Sequence, residues 1–286
     1  IKEDLEINGF IKDLKINLID KYKIDKGNFT FQYNLNNLNF NDINFKFNDL
    51  KFVSNRLSLK KTKNTYKISG EIQNDFFDID KENVDLLIRP YFPMLEIEKI
   101  KFKSKNSFDF QINEKYRISN FTFSSDINLD ELKIKNKFEL KKIFPNIKKN
   151  ISFLKNKILV NYTDQDFEIK GDGKILLQNK EDKINFLINK DNKFYKFKSS
   201  IEIGNNPFQI KIFDYEKNSD KKLIININGT KKINKKSLFK LISFKEEDNI
   251  FQLNDLLIDN KFQIIDFKDI NIDYLDKSNN KNSIDI

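Results

Sequence analysis

Four residue types are absent from the 286-residue chain: cysteine, histidine, tryptophan and alanine. Without histidine there is no Ser-His-Asp triad, no imidazole general base and no imidazole metal ligand. Without cysteine there is no disulfide framework, no thiolate nucleophile and no cysteine-based zinc or iron–sulfur site. Glycine (7), proline (4) and methionine (1) are scarce, and no Gly/Ser- or Pro-rich linker interrupts the chain. No stretch approaches the ~20 apolar residues of a spanning helix, and no signal peptide stands at Ile1. Both ends fall inside polar/apolar alternation, so an internal piece of a longer protein is expected, with any anchor or export signal outside it.

Lys, Ile, Asn, Phe and Leu supply 186 of the 286 residues. These residues, Leu in part, are encoded by A- and T-rich codons, so part of the composition reflects mutational pressure. The net charge of +9 comes from lysine: only Arg56, Arg89 and Arg117 are arginine, and 43 acids are interleaved with the bases. Nucleic-acid readers favour arginine for bidentate contacts. A solvated polar face fits better, no nucleic-acid partner is expected, and weak attraction to an anionic membrane surface stays open. Aromatics at 13% argue for a folded chain.

The dominant pattern has period two. Residues 29–35, FTFQYNL, put Phe29, Phe31, Tyr33 and Leu35 on one side and Thr30, Gln32 and Asn34 on the other. Runs at 38–40, 43–47 and 50–52 repeat the pattern. Asn36-Asn37, Asn41-Asp42 and Asn48-Asp49 separate them, each shifting the phase by one, as a tight turn or a bulge would. Alternation returns at Phe121/Phe123, Ile201/Ile203, Ile225/Ile227 and Ile270/Ile272. One dry and one wet sheet face follow. A spacing of ~8–12 residues per strand and turn predicts about 20–25 strands. Helix candidates are few: 86–100, broken by Pro90 and Pro93; 138–155, carrying Pro145; and the short segment 236–247. In YKISGEIQN (66–74), FEIKGDGKILL (167–177) and IININGTKKI (224–233), Gly is read as following one strand and preceding the next. The expected fold is all-β: one long antiparallel meander over 1–286, with a soft boundary near 138–150 and few short helices.

Chemical motifs are scarce. KGDGK (170–174) lacks the spacing of a phosphate loop and is read as a turn or bulge between strands. Asp78, Asp80 and Glu82 sit at calcium-loop offsets, but Asn83 stands where glycine is needed and Arg89 where glutamate is needed, so a solvated acidic turn fits better. Nothing singles out a carboxylate pair for glycoside chemistry, and chance explains the four sequons. No catalytic residue, metal site or cofactor is expected, and the protein is read as not an enzyme. One-sided apolar strands can pack as a sandwich, close as a barrel, or curl into an open trough whose Phe, Ile and Leu lining suits acyl chains. From the pattern alone, sandwich core and trough fit equally well.

The stretch 144–216 runs from a Pro-containing segment through an alternating strand and I-x-G-x-G-x-I to an I-x-F-x-I strand, a Phe/Tyr strand and an F-x-Y-x-K strand end. With 47–74, FNDLKFVSNRLSLKKTKNTYKISGEIQN, it resembles the AsmA-like envelope proteins, especially the YhdP- and TamB-type members. That resemblance implies a periplasmic section of a lipid-transfer bridge, anchored to the inner membrane by a segment not present here. Such a section carries phospholipid along an apolar β-groove toward the outer membrane. The implied partners are phospholipid acyl chains, with both membranes reached through regions outside the segment. The residues expected to line the groove are Phe29, Phe31, Phe45, Phe47, Phe121, Phe123, Ile201, Ile203, Ile225 and Ile227. Thr30, Lys46, Thr122, Glu202 and Asn226 are expected to point outward. The alternative is a non-catalytic structural or adhesive β-sandwich or solenoid of the cell envelope.

Overall fold

A computed structural model describes residues 5–18, 22–79, 81–90, 95–137, 139–164, 166–191, 194–232, 236–260 and 263–286. The first strands are β1 (Glu6–Leu18), β2 (Tyr22–Asn34), β3 (Asn37–Phe47), β4 (Leu50–Thr62) and β5 (Thr65–Ile79). A seven-residue helix, α1 (Lys81–Leu87), precedes the two longest strands, β6 (Ile97–Asn113) and β7 (Ile118–Lys135). Beyond a 3-10 turn at Leu140–Lys142 come β8 (Asn150–Tyr162), β9 (Asp166–Leu176), β10 (Asp182–Asp191) and β11 (Phe194–Ile203). A two-stranded hairpin, β12 (Gln209–Ile210) and β13 (Tyr215–Glu216), stands apart from the sheet. The last strands are β14 (Leu223–Lys232), β15 (Ser237–Glu246), β16 (Asn249–Ile258), β17 (Ile264–Asp266), β18 (Asp269–Leu275) and β19 (Lys281–Asp285).

Seventeen of these strands form one antiparallel meander that is not closed into a barrel, and strands hold 73% of the chain. Strands pair with their neighbours in sequence, except that β11 pairs β14 across the detached hairpin and β16 pairs both the short β17 and, past it, β18. The sheet runs without a break across 138–150, because β7 pairs β8 from Phe123–Tyr162 to Lys135–Asn150. Nineteen strands stand among the described residues, close to the number the spacing predicts.

The Asn/Asp pairs divide between the two devices the phase shift allowed. Asn48 (φ 46°) and Asp49 (φ 66°) are both left-handed, the signature of a type I′ hairpin turn. Asp42 (φ 53°) instead bulges within β3. Register shifts occur in each of β1 to β5 and again in β7 and β8, along a band that crosses these strands. Side chains close several of these bulges: Asn28 Nδ2 donates to Lys26 O (2.8 Å), Ser54 Oγ to Arg56 O (3.2 Å), Asn74 Nδ2 to Asp75 O (2.6 Å) and Asn156 Nδ2 to Leu154 O (3.0 Å). A bulge bends its strand and frees backbone groups, so the bulges form a crease across β1 to β8 that divides the sheet there into two arms.

Four sequence readings need correction. Residues 237–246 form β15, not a helix. The glycines at 70, 171, 173 and 229 lie inside strands rather than between them. Gly70 pairs with Phe108, Gly171 with Phe186 and Gly229 with Phe197, so an aromatic ring lies over each bare backbone. A methyl on Gly171 would sit 2.7 Å from Phe186 Cε1 and 3.0 Å from Cε2. The acidic stretch 75–87 is a strand end followed by α1. Of the candidate helix at 86–100, residues 91–94 lie outside the described residues, and 97–100 open β6.

Candidate functional site

Directly opposed residues in an antiparallel pair share a face, so the register traces the apolar face across the sheet. One row starts at Gly9 and passes through Phe31, Phe40, Leu57 and Gly70. It continues through Phe108, Phe123, Tyr162 and Phe167. These nine positions come from nine consecutive strands. Flanking rings add contacts, with Phe110–Phe121 centroids 5.9 Å apart, Phe121–Tyr162 5.5 Å and Tyr162–Phe167 6.4 Å. All are half-buried and belong to neither buried cluster described below. This is the open arm of the apolar face.

The other arm is covered in two places. Over β4 to β6, Val84 of α1 packs on Phe77 and Ile79, with Leu50, Phe52, Ile100 and Phe102 around them. Over the later strands, two segments leave the sheet and fold back onto it. The crossing at 136–149 contributes Leu140, Ile143, Phe144 and Ile147, and the strap at 204–222 contributes Phe208, Ile210, Phe213 and Tyr215. They meet at Phe144 and Phe208, whose centroids lie 5.6 Å apart, and Gln209 N donates to Ile143 O (3.0 Å). Beneath them Ile203 and Leu223 are fully buried.

Buried polar groups anchor the strap. Glu246 of β15 accepts from Tyr215 Oη (2.8 Å), the Asn218 amide (2.8 Å) and Asn249 Nδ2 (3.2 Å). Asp182 of β10 accepts from Asn206 Nδ2 (2.7 Å) and the Gly204 amide (3.1 Å). Burial raises the Asp182 pKa, and these hydrogen bonds oppose the rise. Burial, with the Glu246 hydrogen bond, pushes the Tyr215 phenol up. Burial pulls Lys217 down, while the Glu246 and Asp182 charges hold it up.

The crease carries a buried polar row on the apolar side. Ser125 Oγ donates to Asn106 Oδ1 (2.6 Å), Asn106 Nδ2 to Ser104 Oγ (2.9 Å), and Ser104 Oγ to Asn74 Oδ1 (2.5 Å). These side chains stand where the alternation drops its apolar residue, and they satisfy backbone opened by the bulges.

The ten expected lining residues separate accordingly. Phe29, Phe31, Phe121 and Phe123 lie on the open arm. Phe45 and Phe47 lie on the other arm, stacked on Phe52 (5.5 Å) and Tyr22 (5.7 Å). Ile203 and Ile225 are core residues, and Ile201 and Ile227 pack against that core. The expectation of one shared interior is therefore corrected: the four isoleucines sit in a filled layer, because chain that leaves the sheet covers them. Thr30, Lys46, Thr122, Glu202 and Asn226 pair with residues of the opposite face, such as Thr122 with Asp109 and Glu202 with Lys183.

Sequence reasoning missed a polar hollow of about 630 Å³ on that opposite face, lined by Arg56, Ser69, Glu71, Ser107, Thr122 and Ser124 among others. Its only signal is a serine or threonine on the wet side of several successive strands. Among the described residues no group of three or more acids could hold a metal ion, and no helix is long and apolar enough to cross a membrane. Comparison with protein-family models, with curated proteins and with solved structures gave no match.

Proposed function

We propose that the chain is a non-catalytic section of a lipid-transfer bridge, in which acyl chains lie along the open arm of the apolar face. The observation that carries this reading is the Gly9-to-Phe167 row: nine consecutive strands present half-buried aromatic, aliphatic or glycine positions with no polar break. Nine strands at ~4.8 Å spacing give a path of about 40 Å. An acyl chain in water costs ~0.8 kcal/mol per exposed CH₂, and a continuous lining lowers that cost at every step without a deep trap. The proposal takes the rest of its setting from the sequence resemblance: a periplasmic protein, held to the inner membrane by chain outside this segment and passing phospholipid toward the outer membrane.

A structural β-protein of the envelope is the second reading. The filled layer beneath the strap favours it, since Ile203, Phe208 and Leu223 leave no room for a ligand there. A photoreactive side chain in place of Phe123, with Thr122 as the opposite-face control, separates the two. Lipid crosslinked at 123 and not at 122 supports the bridge. Absence of lipid at both positions in protein extracted with its native lipids refutes it.

A further inference from the structure

The apolar row changes character at one end. Beyond Phe167 its direct cross-strand partners are Lys190, Tyr195 and Lys231. Both lysines therefore stand on the apolar face, at its rim, in line with the aromatic path. Several lysines facing the wet side are paired, as in Lys99–Glu131 (3.1 Å), Lys135–Glu96 (3.0 Å) and Lys222–Glu202 (3.0 Å). Lys190 and Lys231 have no ion pair among the described residues. Lys190 and Tyr195 are half-buried, and Lys231 is exposed.

We propose that Lys190, Tyr195 and Lys231 form a headgroup site for an anionic lipid, holding its phosphate where the acyl path ends. Two strand spacings separate the lysines, about 9.5 Å between backbones, and both flexible stems can reach a group above Tyr195 between them. Ammonium groups bind phosphate as point charges, and the phenol supplies a further donor. The next row inward, Ile169, Ile188 and Phe197, is apolar on the same face. A phosphate at the rim thus places the attached chain on hydrocarbon, matching both halves of an amphiphile. A free anion would use only the lysines and leave the aromatic row without a role.

The site rests on the acyl-path reading, and chain-matched probes separate its failure from failure of that reading. Purified protein is titrated below micelle-forming concentrations with dodecyl phosphate, with dodecyl maltoside and with inorganic phosphate. The expected result is tighter binding of dodecyl phosphate than of the neutral probe, by roughly ten- to thirty-fold for two lysines. Lys190→Gln with Lys231→Gln removes the difference and leaves maltoside binding unchanged, while the double arginine variant keeps it. Equal affinity of the two chain probes, or no effect of the glutamine pair, overturns the headgroup site and leaves the acyl path standing. Inorganic phosphate binding as tightly as dodecyl phosphate assigns the lysines to free anions and overturns the lipid assignment. Failure of both chain probes to bind overturns the path and the site together. Circular dichroism checks that each variant keeps its strands.

Discussion

Gly171→Ala tests the packing of rings over glycine. The added methyl lands 2.7–3.0 Å from two Phe186 ring carbons, inside ordinary contact distance. The ring cannot swing away freely, because Phe186 packs against the filled core. Overpacking of this kind costs ~1–3 kcal/mol. At ~2.1 cal/mol/K per residue, unfolding 286 residues gives about 0.6 kcal/mol/K, so the melting temperature should fall by roughly 2–5 °C. Differential scanning calorimetry reads this directly. Phe186→Leu removes the obstructing ring, and in that background Gly171→Ala should cost less than ~0.5 kcal/mol, a coupling that additive sites would not show. Gly204→Ala is the control, since a methyl there meets nothing within 4 Å. If Gly171→Ala and Phe186→Leu prove additive, the ring does not depend on the bare backbone and the reasoning fails.

Glu246→Ala leaves the buried Tyr215 hydroxyl and two part-buried donors, the Asn218 amide and Asn249 Nδ2, without their acceptor and should lower stability by about 2–3 kcal/mol. Hydrogen exchange should then rise first across the strap at 204–222, while uniform loss of protection would contradict a strap-specific anchor. The Glu96 carboxylate, hydrogen-bonded by Lys137 and Lys135, has its pKa lowered to about 2 from an ordinary 4.5. Its contribution is present above about 4.5 and is lost as pH falls toward about 2, so Glu96→Gln should flatten the acid limb of the stability curve in that window. Phe251→Asp puts an unpaired carboxylate among Tyr215 (4.7 Å), Tyr274 (5.2 Å) and Phe213 (5.8 Å) and should cost several kcal/mol. Denaturant titration against Thr30→Asp, exposed and opposite the uncharged Phe10 and Asn41, which should be nearly neutral, checks it.

Period-two alternation made the meander legible, because each strand must bury one side. What stayed hidden were the bulges and the folded-back chain. Residues 236–247 resemble a helix for a physical reason. Phe239, Ile242 and Phe244 point to one face, opposite Gly229, Ile227 and Ile225, and an extra residue at Lys240 sets the first two three apart. One bulge thus imitates the helical step. Glycine was read as punctuation because its usual role is in turns, and only the partner strand reveals the ring above it. Phe208 and Tyr215 carry no mark in the sequence that distinguishes a cover from a strand. The rim lysines look like any other lysine until the register places them in line with Phe167.

From β1 to β9 each strand pairs only with its chain neighbours, and such a stretch of sheet behaves nearly as a one-dimensional object. Inserting or deleting one hairpin anywhere in β1 to β9 would change its length by about 10 Å and leave every other pairing intact. Gene-level gain or loss of hairpins can therefore tune reach, as links tune a chain, without redesign of the remainder. Such a molecule is a ruler whose graduations are hairpins, and the gap it spans can be matched two strands at a time.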